Sequence, residues 1–336
     1  MKKIKSVVIG KFMPLHNGHI YMINFAKNFS DELTVLADNL PSHIETMSLE
    51  SRVNILKKEF KDIIIKGIDI ETYQEPEDSE NFWEFWRDTI IRNVGYKPDY
   101  IIGSMDYIKK LAEVIGCQFI MIDKERENIP ISATIIRDAY KEYNLGNTKK
   151  LKEVYQYIPN SSREYYIKDI YIVGGESTGK TTFAKKLSSF FETLMIKEYA
   201  EYYIKENSKD LNEQDLFNIA KAQLSEQITL RKDAFYYCIH DTDVITTKIW
   251  YMKLFNKSDT DIFDDLIKKQ KDGLYLLLDN NNVWIEDFHR YFKDKEDREW
   301  FFNEFKIQLN KYNKNYLIIE DRNINEKNIT KIKKAL

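Results

Sequence analysis

The sequence predicts an α/β protein made of two doubly wound parallel-sheet domains. Three observations lead to this fold class. Short apolar segments of strand length alternate with longer segments of helix length, and this alternation is found in both halves of the chain. The 336 residues exceed the usual size of one domain. A glycine-rich turn lies between a predicted strand and a predicted helix almost at mid-chain, which indicates that a second domain begins there.

The first half is predicted to begin with a buried strand within the first ten residues. Its strands are expected at 6–10, 33–37, 62–65, 100–103 and 118–122, and its helices at 18–29, 49–60, 81–94 and 108–115. Residues 73–80 are acidic and contain a proline, which is typical of a solvated loop. Because the first strand begins so near Met1, we expect no DNA-binding module ahead of it.

The second half is predicted to follow a helix at 149–157. The polar residues after Pro159 are expected to form a turn at 159–162, which divides the chain into domains 1–160 and 161–336. Further strands are expected at 170–173, 194–196, 235–239, 274–278 and 316–319, and helices at 182–189 and 214–233. The lysine-rich end of the chain is typical of a solvated helix face.

The composition excludes several classes of protein. The 51 basic and 54 acidic residues give a net charge of −3, so no global basic field indicates a nucleic-acid binder. No apolar run approaches the ~20 residues of a membrane span, and the start of the chain lacks the apolar core of a signal peptide. Cys117 and Cys238 have no paired spacing, as expected for buried thiols in a reducing compartment. We therefore expect a cytoplasmic protein that binds small molecules, without nucleic acid or membrane as partner, and the sequence leaves a homo-oligomer open.

The mid-chain turn has the spacing G-x-x-x-x-G-K-T, which is typical of a loop that binds polyphosphate. Its glycines let backbone N–H groups surround the phosphate oxygens, its lysine bridges the β- and γ-phosphates, and its threonine hydroxyl can ligate Mg²⁺. The flanking strand and helix favour this interpretation over an ordinary glycine-rich loop. The predicted nucleotide-binding residues are Gly174, Gly175, Glu176, Ser177, Thr178, Gly179, Lys180, Thr181 and Thr182.

Two histidines follow the first predicted strand. His16 and His19 lie three residues apart at the start of a predicted helix, in the segment GKFMPLHNGHI. Imidazoles placed there are suited to hold phosphate oxygens as negative charge builds on them. Zinc is the rival use of two nearby histidines, but a zinc site needs three or four ligands and no further ligand has suitable spacing. Histidines of the core or surface are the structural alternative.

A second anion-binding segment, ISATIIRD, occupies residues 131–138. Ser132 or Thr134 can cap a helix there and turn its hydroxyl toward an anion. Arg137 lies one turn further on, where its guanidinium can bind phosphate with two parallel hydrogen bonds.

Two carboxylates and an arginine are the candidate catalytic groups of the second half. Asp241 and Asp243 end a predicted strand beside the glycine-rich turn, where carboxylates organise Mg²⁺ or orient a substrate hydroxyl. The sequence leaves open which aspartate organises Mg²⁺ and which orients the hydroxyl. Capping of a helix is the structural alternative for each. Arg290 suits a lid arginine that closes on the transferring phosphate, although a solvated helix arginine has the same spacing.

The motif G-x-F-x-P-x-H-x-G-H at 10–19, together with I-S-x-T-x-x-R at 131–137, resembles the nucleotidylyltransferase superfamily. The resemblance implies a Rossmann-like first domain in which the two histidines and the arginine bind the triphosphate of ATP while an acceptor phosphate attacks the α-phosphorus. It also implies that a tryptophan stacks on a nicotinamide ring, with core packing as the alternative. The residues implicated besides the histidines, Ser132, Thr134 and Arg137 are Gly10, Lys11, Phe12, Gly18, Trp83 and Trp86.

A nucleotidylyltransferase followed by a P-loop domain is similar to the bifunctional NadR-type proteins of NAD metabolism. Further supporting segments are EYAEYY at 198–203, HDTDVITTK at 240–248 and NNVWIEDFHR at 281–290. The resemblance implies nicotinamide mononucleotide (NMN) adenylyltransferase activity in the first domain and ribosylnicotinamide kinase activity in a second, P-loop kinase domain. It implies ATP as co-substrate, Mg²⁺ as cofactor with Thr181 and Asp241 near it, and nicotinamide riboside, NMN and NAD as the other small molecules bound. Glu198 and Tyr199 would then lie near the riboside.

Two residues depart from the pattern of that family. Glu201 stands where arginine is usual, which reverses a charge near the expected nucleoside site, and Phe288 stands where glycine is usual. The first departure leaves open a P-loop domain that senses ATP without phosphorylating a substrate. The histidine motif is shared with cytidylyltransferases and pantetheine-phosphate adenylyltransferases, so another phosphorylated acceptor is the remaining alternative. Enterobacterial members also carry an N-terminal repressor domain, which we expect this chain to lack.

Overall fold

The computed structural model describes residues 2–207, 211–258, 261–280 and 294–336. The chain divides into two compact units, Met1–Tyr165 and Tyr166–Leu336. Each unit contains a parallel five-stranded sheet among its described residues, as expected from the alternation of strands and helices. None of the described helices is long and apolar enough to cross a membrane.

The first unit is built on a sheet with the strand order β3-β2-β1-β4-β5. Its strands are β1 (Lys5–Gly10), β2 (Glu32–Ala37), β3 (Ile64–Gly67), β4 (Tyr100–Gly103) and β5 (Gln118–Met121). Its helices are α1 (Asn17–Phe29), α2 (Leu49–Glu59), α3 (Phe82–Val94), α4 (Tyr107–Ile115), α5 (Ala133–Asn144), α6 (Lys149–Val154) and α7 (Asn160–Tyr166). The chain runs outward from β1 to β3 and then crosses to β4, so the strand order reverses at β1. Parallel sheets bind ligands at such a reversal, beside the carboxyl ends of the strands.

The second unit is built on a sheet with the strand order β10-β9-β6-β8-β7. Its strands are β6 (Lys168–Val173), β7 (Met195–Ile196), β8 (Tyr237–Asp241), β9 (Gly273–Leu278) and β10 (Tyr316–Ile319). Its helices are α8 (Lys180–Phe191), α9 (Tyr199–Glu206), α10 (Glu213–Leu230), α11 (Val244–Leu254), α12 (Asp264–Lys269), α13 (Lys295–Lys311) and α14 (Glu326–Ala335). The central strand β6 leads directly into the glycine-rich turn.

Both sheets are buried by apolar side chains of their strands and helices. In the first unit, Val7, Ile9 and Ile101 pack against the apolar faces of α3 and α4. In the second, Tyr171 and Tyr275 pack with residues of α10, α11 and α13. Strands that are buried on both faces consist largely of consecutive apolar residues. For this reason, most strand boundaries predicted from the sequence lie within two residues of the observed ones.

Three local expectations are corrected by the structure. Residues 159–162 do not form a turn that ends a helix; they begin α7, because the carbonyl of Pro159 accepts hydrogen bonds from the backbone N–H groups of Ser162 and Arg163. The strand expected at 235–239 lies at Tyr237–Asp241, since Tyr236 has a φ of 60° and cannot continue a strand. Residues 73–80 are not simply solvated: they contain a 3-10 turn, Pro76–Asp78, and part of them lines a cavity.

Candidate active sites

The histidine motif forms a buried wall at the carboxyl end of β1. His16 is the N-cap of α1, and its Nδ1 accepts a hydrogen bond from the backbone N–H of His19 at 3.3 Å. The two imidazole rings are stacked with their centroids 3.7 Å apart, and Phe12 packs edge-on against His19 at 5.0 Å. A Cβ atom on Gly18 would lie 3.1 Å from the His16 ring, so glycine there lets the imidazole pack closely without being displaced.

Both imidazoles are held in the neutral state. Burial, and then the positive charge of Arg126, lowers the pKa of His16 to about 3. Burial lowers the pKa of His19 well below its usual range, with further contributions from His16 and Arg126. Because Nδ1 of His16 accepts a hydrogen bond, its proton lies on Nε2, which can donate to a ligand. Nδ1 of His19 is buried and has no hydrogen-bond partner among the described residues.

The segment at 131–138 is joined to the histidine wall by Arg137. Ser132, not Thr134, is the N-cap of α5: its hydroxyl accepts from the backbone N–H of Ile135 at 3.3 Å. Arg137 donates from Nη1 to the carbonyl of Met13 at 2.6 Å and from Nη2 to the hydroxyl of Thr134 at 3.1 Å. The guanidinium is thus fixed between the two segments that the sequence paired.

These elements line one cavity of about 510 Å³. That volume is within the range of pockets that bind small molecules. All the residues predicted for the first domain's site lie on its wall: Gly10, Lys11, Phe12, His16, Gly18, His19, Trp83, Trp86, Ser132, Thr134 and Arg137. Trp86 is buried and donates from its indole nitrogen to the carbonyl of Tyr73 at 3.2 Å, while Trp83 is half-buried.

Several residues of this cavity were missed by sequence reasoning, among them Asp38, Gln74, Tyr107 and Arg126. Asp38 directly follows β2, so the rule that parallel strands present ligands at their carboxyl ends could have identified it. Gln74 lies in the segment that was interpreted as a solvated loop. Arg126 lies in the loop before α5 and has a φ of 55°. No motif marks such a residue, because its position depends on loop geometry.

The glycine-rich turn of the second unit has the backbone expected of a phosphate-binding loop. Gly174 and Gly179 have φ values of 150° and 85°, which residues other than glycine rarely adopt. Lys180 begins α8, and its Nζ donates to the carbonyl of Gly175 at 3.0 Å. The hydroxyl of Thr178 donates to the same carbonyl at 2.9 Å. The lysine, the hydroxyl and the N-terminus of α8 thus lie together at this turn, the combination of groups that anion sites use.

Asp241 faces this loop from the end of β8. Its carboxyl is buried, which raises its pKa, and the hydroxyl of Thr181 and the charges of Lys180 and Lys185 act in the opposite direction. Within the part of the chain that the structure describes, Oδ1 of Asp241 is buried and has no hydrogen-bond partner. A carboxylate oxygen with free lone pairs beside a P-loop threonine fits the ligand set that Mg²⁺ uses in nucleotide sites.

Asp243, by contrast, is hydrogen-bonded through both of its carboxylate oxygens to other described residues. It is fully buried and is the N-cap of α11, with Oδ1 accepting from the backbone N–H and the hydroxyl of Thr246, each at 2.9 Å. Oδ2 accepts from Tyr275 at 3.0 Å and from Gln270 at 3.2 Å. The structural alternative of helix capping therefore accounts for Asp243.

Glu198 is a second carboxylate close to Lys180 of the phosphate loop. Burial raises its pKa to about 7, the nearby positive charge of Lys180 lowers it, and the negative charges of Asp241, Glu201 and Glu176 raise it. Its neighbour Tyr199 is fixed by Gln223, whose amide oxygen accepts from the Tyr199 backbone N–H at 2.7 Å while its nitrogen donates to the Lys197 carbonyl at 3.1 Å. Sequence reasoning missed Gln223, which is an isolated polar residue on the buried face of α10. Arg290 and Phe288 lie outside the described residues.

A buried cluster of Asp169, Cys238 and His240 has ligand atoms close enough together for a metal ion. However, Arg231 donates to both oxygens of Asp169, at 3.0 and 2.8 Å, and Nε2 of His240 lies 2.8 Å from one of them. The carboxylate is therefore already paired with a cation, and we interpret the cluster as structural.

Comparisons with known proteins agree with this two-part arrangement. The cytidylyltransferase-like family matches residues 7–139, and an AAA domain family matches residues 169–327. The trifunctional NAD biosynthesis/regulator protein NadR of Escherichia coli is 28% identical over 342 residues, which cover 95% of this chain and 80% of that protein. NadR of Salmonella typhimurium is 28% identical over 321 residues, covering 88% and 74%.

Solved structures show the same fold. A crystal structure of NadR protein in complex with NR has a TM-score of 0.66 at 21% identity and covers 97% of this chain and 93% of its own. A structure of NadR protein in complex with NAD and AMP-PNP has a TM-score of 0.63 at 21% identity, with coverages of 95% and 91%. Both halves of the chain are thus matched in the same order over nearly the whole length, and the chain is similar to NadR proteins in sequence and in fold.

Proposed function

We propose that the protein is a bifunctional enzyme of NAD formation. The second unit phosphorylates nicotinamide riboside to NMN with ATP, and the first unit transfers AMP from ATP to NMN, giving NAD and pyrophosphate. One observation carries the proposal: in this single chain, which is similar to NadR, each of the two units has its own group of residues suited to bind phosphate. In the first unit these are the histidine wall and Arg137, and in the second they are the P-loop, Asp241 and Glu198.

In the first unit, the cavity is suited to adenylyl transfer without a protein nucleophile. A phosphate oxygen of NMN attacks the α-phosphorus of ATP, the bond from that phosphorus to the β-phosphate oxygen breaks, and pyrophosphate leaves. His16 and His19 donate from neutral rings to the oxygens on which negative charge builds, and Arg137 binds the leaving phosphates. Catalysis is then positioning and charge stabilisation, as is usual for phosphoryl and nucleotidyl groups.

In the second unit, Glu198 is the proposed general base. A carboxylate with a pKa of about 7 is well matched to accepting a proton from a substrate hydroxyl near neutral pH. The 5′-oxygen of the riboside attacks the γ-phosphorus of ATP, its proton passes to Glu198, and ADP leaves. Lys180 holds the β- and γ-phosphates through this step.

Mg²⁺ fits the residues present in the second unit. The buried, unpartnered Oδ1 of Asp241 and the hydroxyl of Thr181 would hold it, and it would supply neutralisation of the charge on the β- and γ-phosphates.

A single incubation tests both halves of the proposal. The full chain is incubated with Mg·ATP and nicotinamide riboside, and the products are separated. We expect riboside-dependent release of ADP, formation of NMN, and then NAD with pyrophosphate. Binding of ATP without riboside-dependent ADP release would instead indicate a sensing role for the second unit. In separate incubations that supply CTP, or pantetheine phosphate with ATP, transfer of CMP or transfer of AMP to pantetheine phosphate alone would overturn the adenylyltransferase assignment.

A further inference from the structure

The loop between β5 and α5, residues 122–132, forms part of the wall of the first unit's cavity. Among its residues that line the cavity are Asp123, Arg126, Ile129 and Ile131. A side-chain methyl carbon of Ile131 lies 3.7 Å from the place that a Cβ atom on Gly18 would take, so the loop packs on the start of α1. The loop therefore borders the histidine wall on one side and leads into α5 on the other.

The shape of this loop is fixed by the carboxylate of Asp123. It accepts hydrogen bonds from the backbone N–H groups of Asn128 and Ile129, at 3.0 and 3.1 Å, and from the side-chain amide of Asn128 at 3.2 Å. The backbone N–H of Arg126 donates to the carbonyl of Asp123 at 2.9 Å. Arg126 has a φ of 55°, which is uncommon for a residue with a side chain and persists where surrounding contacts impose it. The position of Arg126 is therefore set before any ligand binds.

The guanidinium of Arg126 is available to a ligand. Burial is the main cause of the low pKa values of His16 and His19, and the positive charge of Arg126 contributes to both, so it lies near the two rings. Its side chain is exposed and has no hydrogen bond or ion pair within the described part of the chain. In Arg137, by contrast, each terminal nitrogen already donates to a protein oxygen. Free terminal nitrogens can bind a phosphate with two parallel hydrogen bonds.

The charge of the cavity indicates which ligand needs this group. Because both imidazoles are neutral, the permanent positive charges among the described lining residues are those of Lys11, Arg126 and Arg137. The triphosphate of ATP carries more negative charge than the single phosphate of the acceptor, and its leaving part gains charge during the transfer. Arg126 precedes α5 in the chain, so it lies on the same part of the wall as Arg137.

We propose that Arg126 binds, together with Arg137, the phosphates that leave as pyrophosphate. In ATP these are the β- and γ-phosphates, and the same contact is present in the product complex. The inference rests on the proposed adenylyltransferase function, and it adds a phosphate-binding residue that lies outside both motifs of this unit. The phosphate of the acceptor is the competing ligand, and the experiment separates the two.

The test is steady-state adenylyl transfer by the full chain and by Arg126→Ala. The KM for ATP and the inhibition constant of pyrophosphate should both rise by on the order of 10 to 100, the usual effect of losing charge-assisted hydrogen bonds. The KM for NMN at saturating ATP should stay near that of the wild type. Lys124→Ala is the matched control, because it removes a positive charge from the same loop, where Lys124 pairs with Asp106 at 2.7 Å. It should leave all three constants nearly unchanged.

The outcomes that contradict the inference are distinct. A rise in the KM for NMN alone would assign Arg126 to the acceptor phosphate. Unchanged constants for ATP and pyrophosphate, or an equal rise for all three ligands as a merely structural role predicts, would also overturn it. If melting curves show that Arg126→Ala is unfolded, Arg126→Lys takes its place; it keeps the charge and loses the two parallel hydrogen bonds, so smaller rises in the same two constants are expected. A wild-type chain that transfers no AMP to NMN would instead refute the proposed function.

Discussion

At the scale of single residues, the chemistry of the first unit depends on imidazoles that are kept neutral. Burial holds the pKa values of His16 and His19 far below their usual range, so these rings act through N–H donation and not through a fixed charge. Their stacked arrangement and the hydrogen bond from the His19 backbone to His16 fix the direction in which they donate. Preorganised donors of this kind stabilise developing negative charge without reorganising during the reaction.

His19→Ala should lower kcat for adenylyl transfer by on the order of 10² to 10³, because it removes one donor aimed at the developing charge. The measurement is the initial rate of NAD formation from saturating NMN and ATP. His43→Ala, at an exposed position, is the control and should leave the rate near that of the wild type. A loss of less than about tenfold would mean that His19 is structural.

The pKa of Glu198 sets the expected pH dependence of the second unit. As a base it must be deprotonated, so kcat/KM for phosphorylation of the riboside should rise with pH and level off above about 7. Glu198→Gln should abolish most of the activity and this rise with it. The exposed Glu206→Gln is the matched control. A wild-type profile that is flat between pH 5 and 9 would contradict the assignment.

Glu201 offers a second check on the same group. Its negative charge is one of those that raise the pKa of Glu198, so Glu201→Arg should lower that pKa and move the rising part of the profile to lower pH. This variant restores the arginine that is usual in the family, and we expect its kinase activity at pH 6 to exceed that of the wild type. An unchanged profile would show that Glu201 does not act on Glu198.

At the scale of secondary-structure elements, the sequence predicted the strands well and the short helices poorly. Strands buried on both faces are largely apolar, so β4, β6 and β9 could be located from their apolar runs, although β6 also contains Lys168 and Asp169. Helix α7 was missed because Ser161 and Ser162 are poor helix formers; here their hydroxyls bond to Glu59 and to the carbonyl of Leu15, which tertiary contacts alone supply.

The same distinction applies to the candidate sites. The motif residues that begin a helix directly after a strand were predictable, because the carboxyl ends of parallel strands lie at the same edge of the sheet. Three other residues line the first cavity from different places: Asp38 follows the end of β2, and Gln74 and Arg126 lie in loops. The path of a loop depends on contacts between residues that are distant in sequence. Asp241 and Asp243 could not be told apart either, because only the structure shows which carboxylate is already hydrogen-bonded.

Substitutions of the two aspartates at the end of β8, Asp241 and Asp243, should therefore have opposite effects on stability and on kinase activity. Asp243→Ala removes the cap of α11 and leaves Tyr275 and Gln270 without their partner, so the free energy of unfolding should fall by at least ~0.5–2 kcal/mol, the usual cost of a lost cap. Asp241→Asn removes a charge whose burial the fold disfavours, so it should not lower stability. It should instead abolish most of the kinase activity.

Denaturant unfolding and riboside phosphorylation, measured on both variants, check this pair. Destabilisation by Asp241→Asn with activity retained, or full stability of Asp243→Ala with activity lost, would reverse the two roles.

At the scale of the whole molecule, the chain combines two units that each have their own parallel sheet and, as we propose, their own phosphate site. The histidine wall follows β1 in the first unit, and the P-loop follows β6 in the second. The lysine of a P-loop acts on the phosphates of its own nucleotide, and the histidines act on theirs. The central claim is therefore that the two reactions are separable by single substitutions.

Product chromatography of Lys180→Ala and His19→Ala, each given either nicotinamide riboside or NMN with Mg·ATP, tests that claim most directly. Lys180→Ala should convert NMN to NAD at nearly the wild-type rate and should not convert the riboside. His19→Ala should accumulate NMN from the riboside with little NAD, and a mixture of the two variants should form NAD from the riboside through the released intermediate. Loss of both conversions in either variant, with melting curves showing that it is folded, would contradict two separate sites.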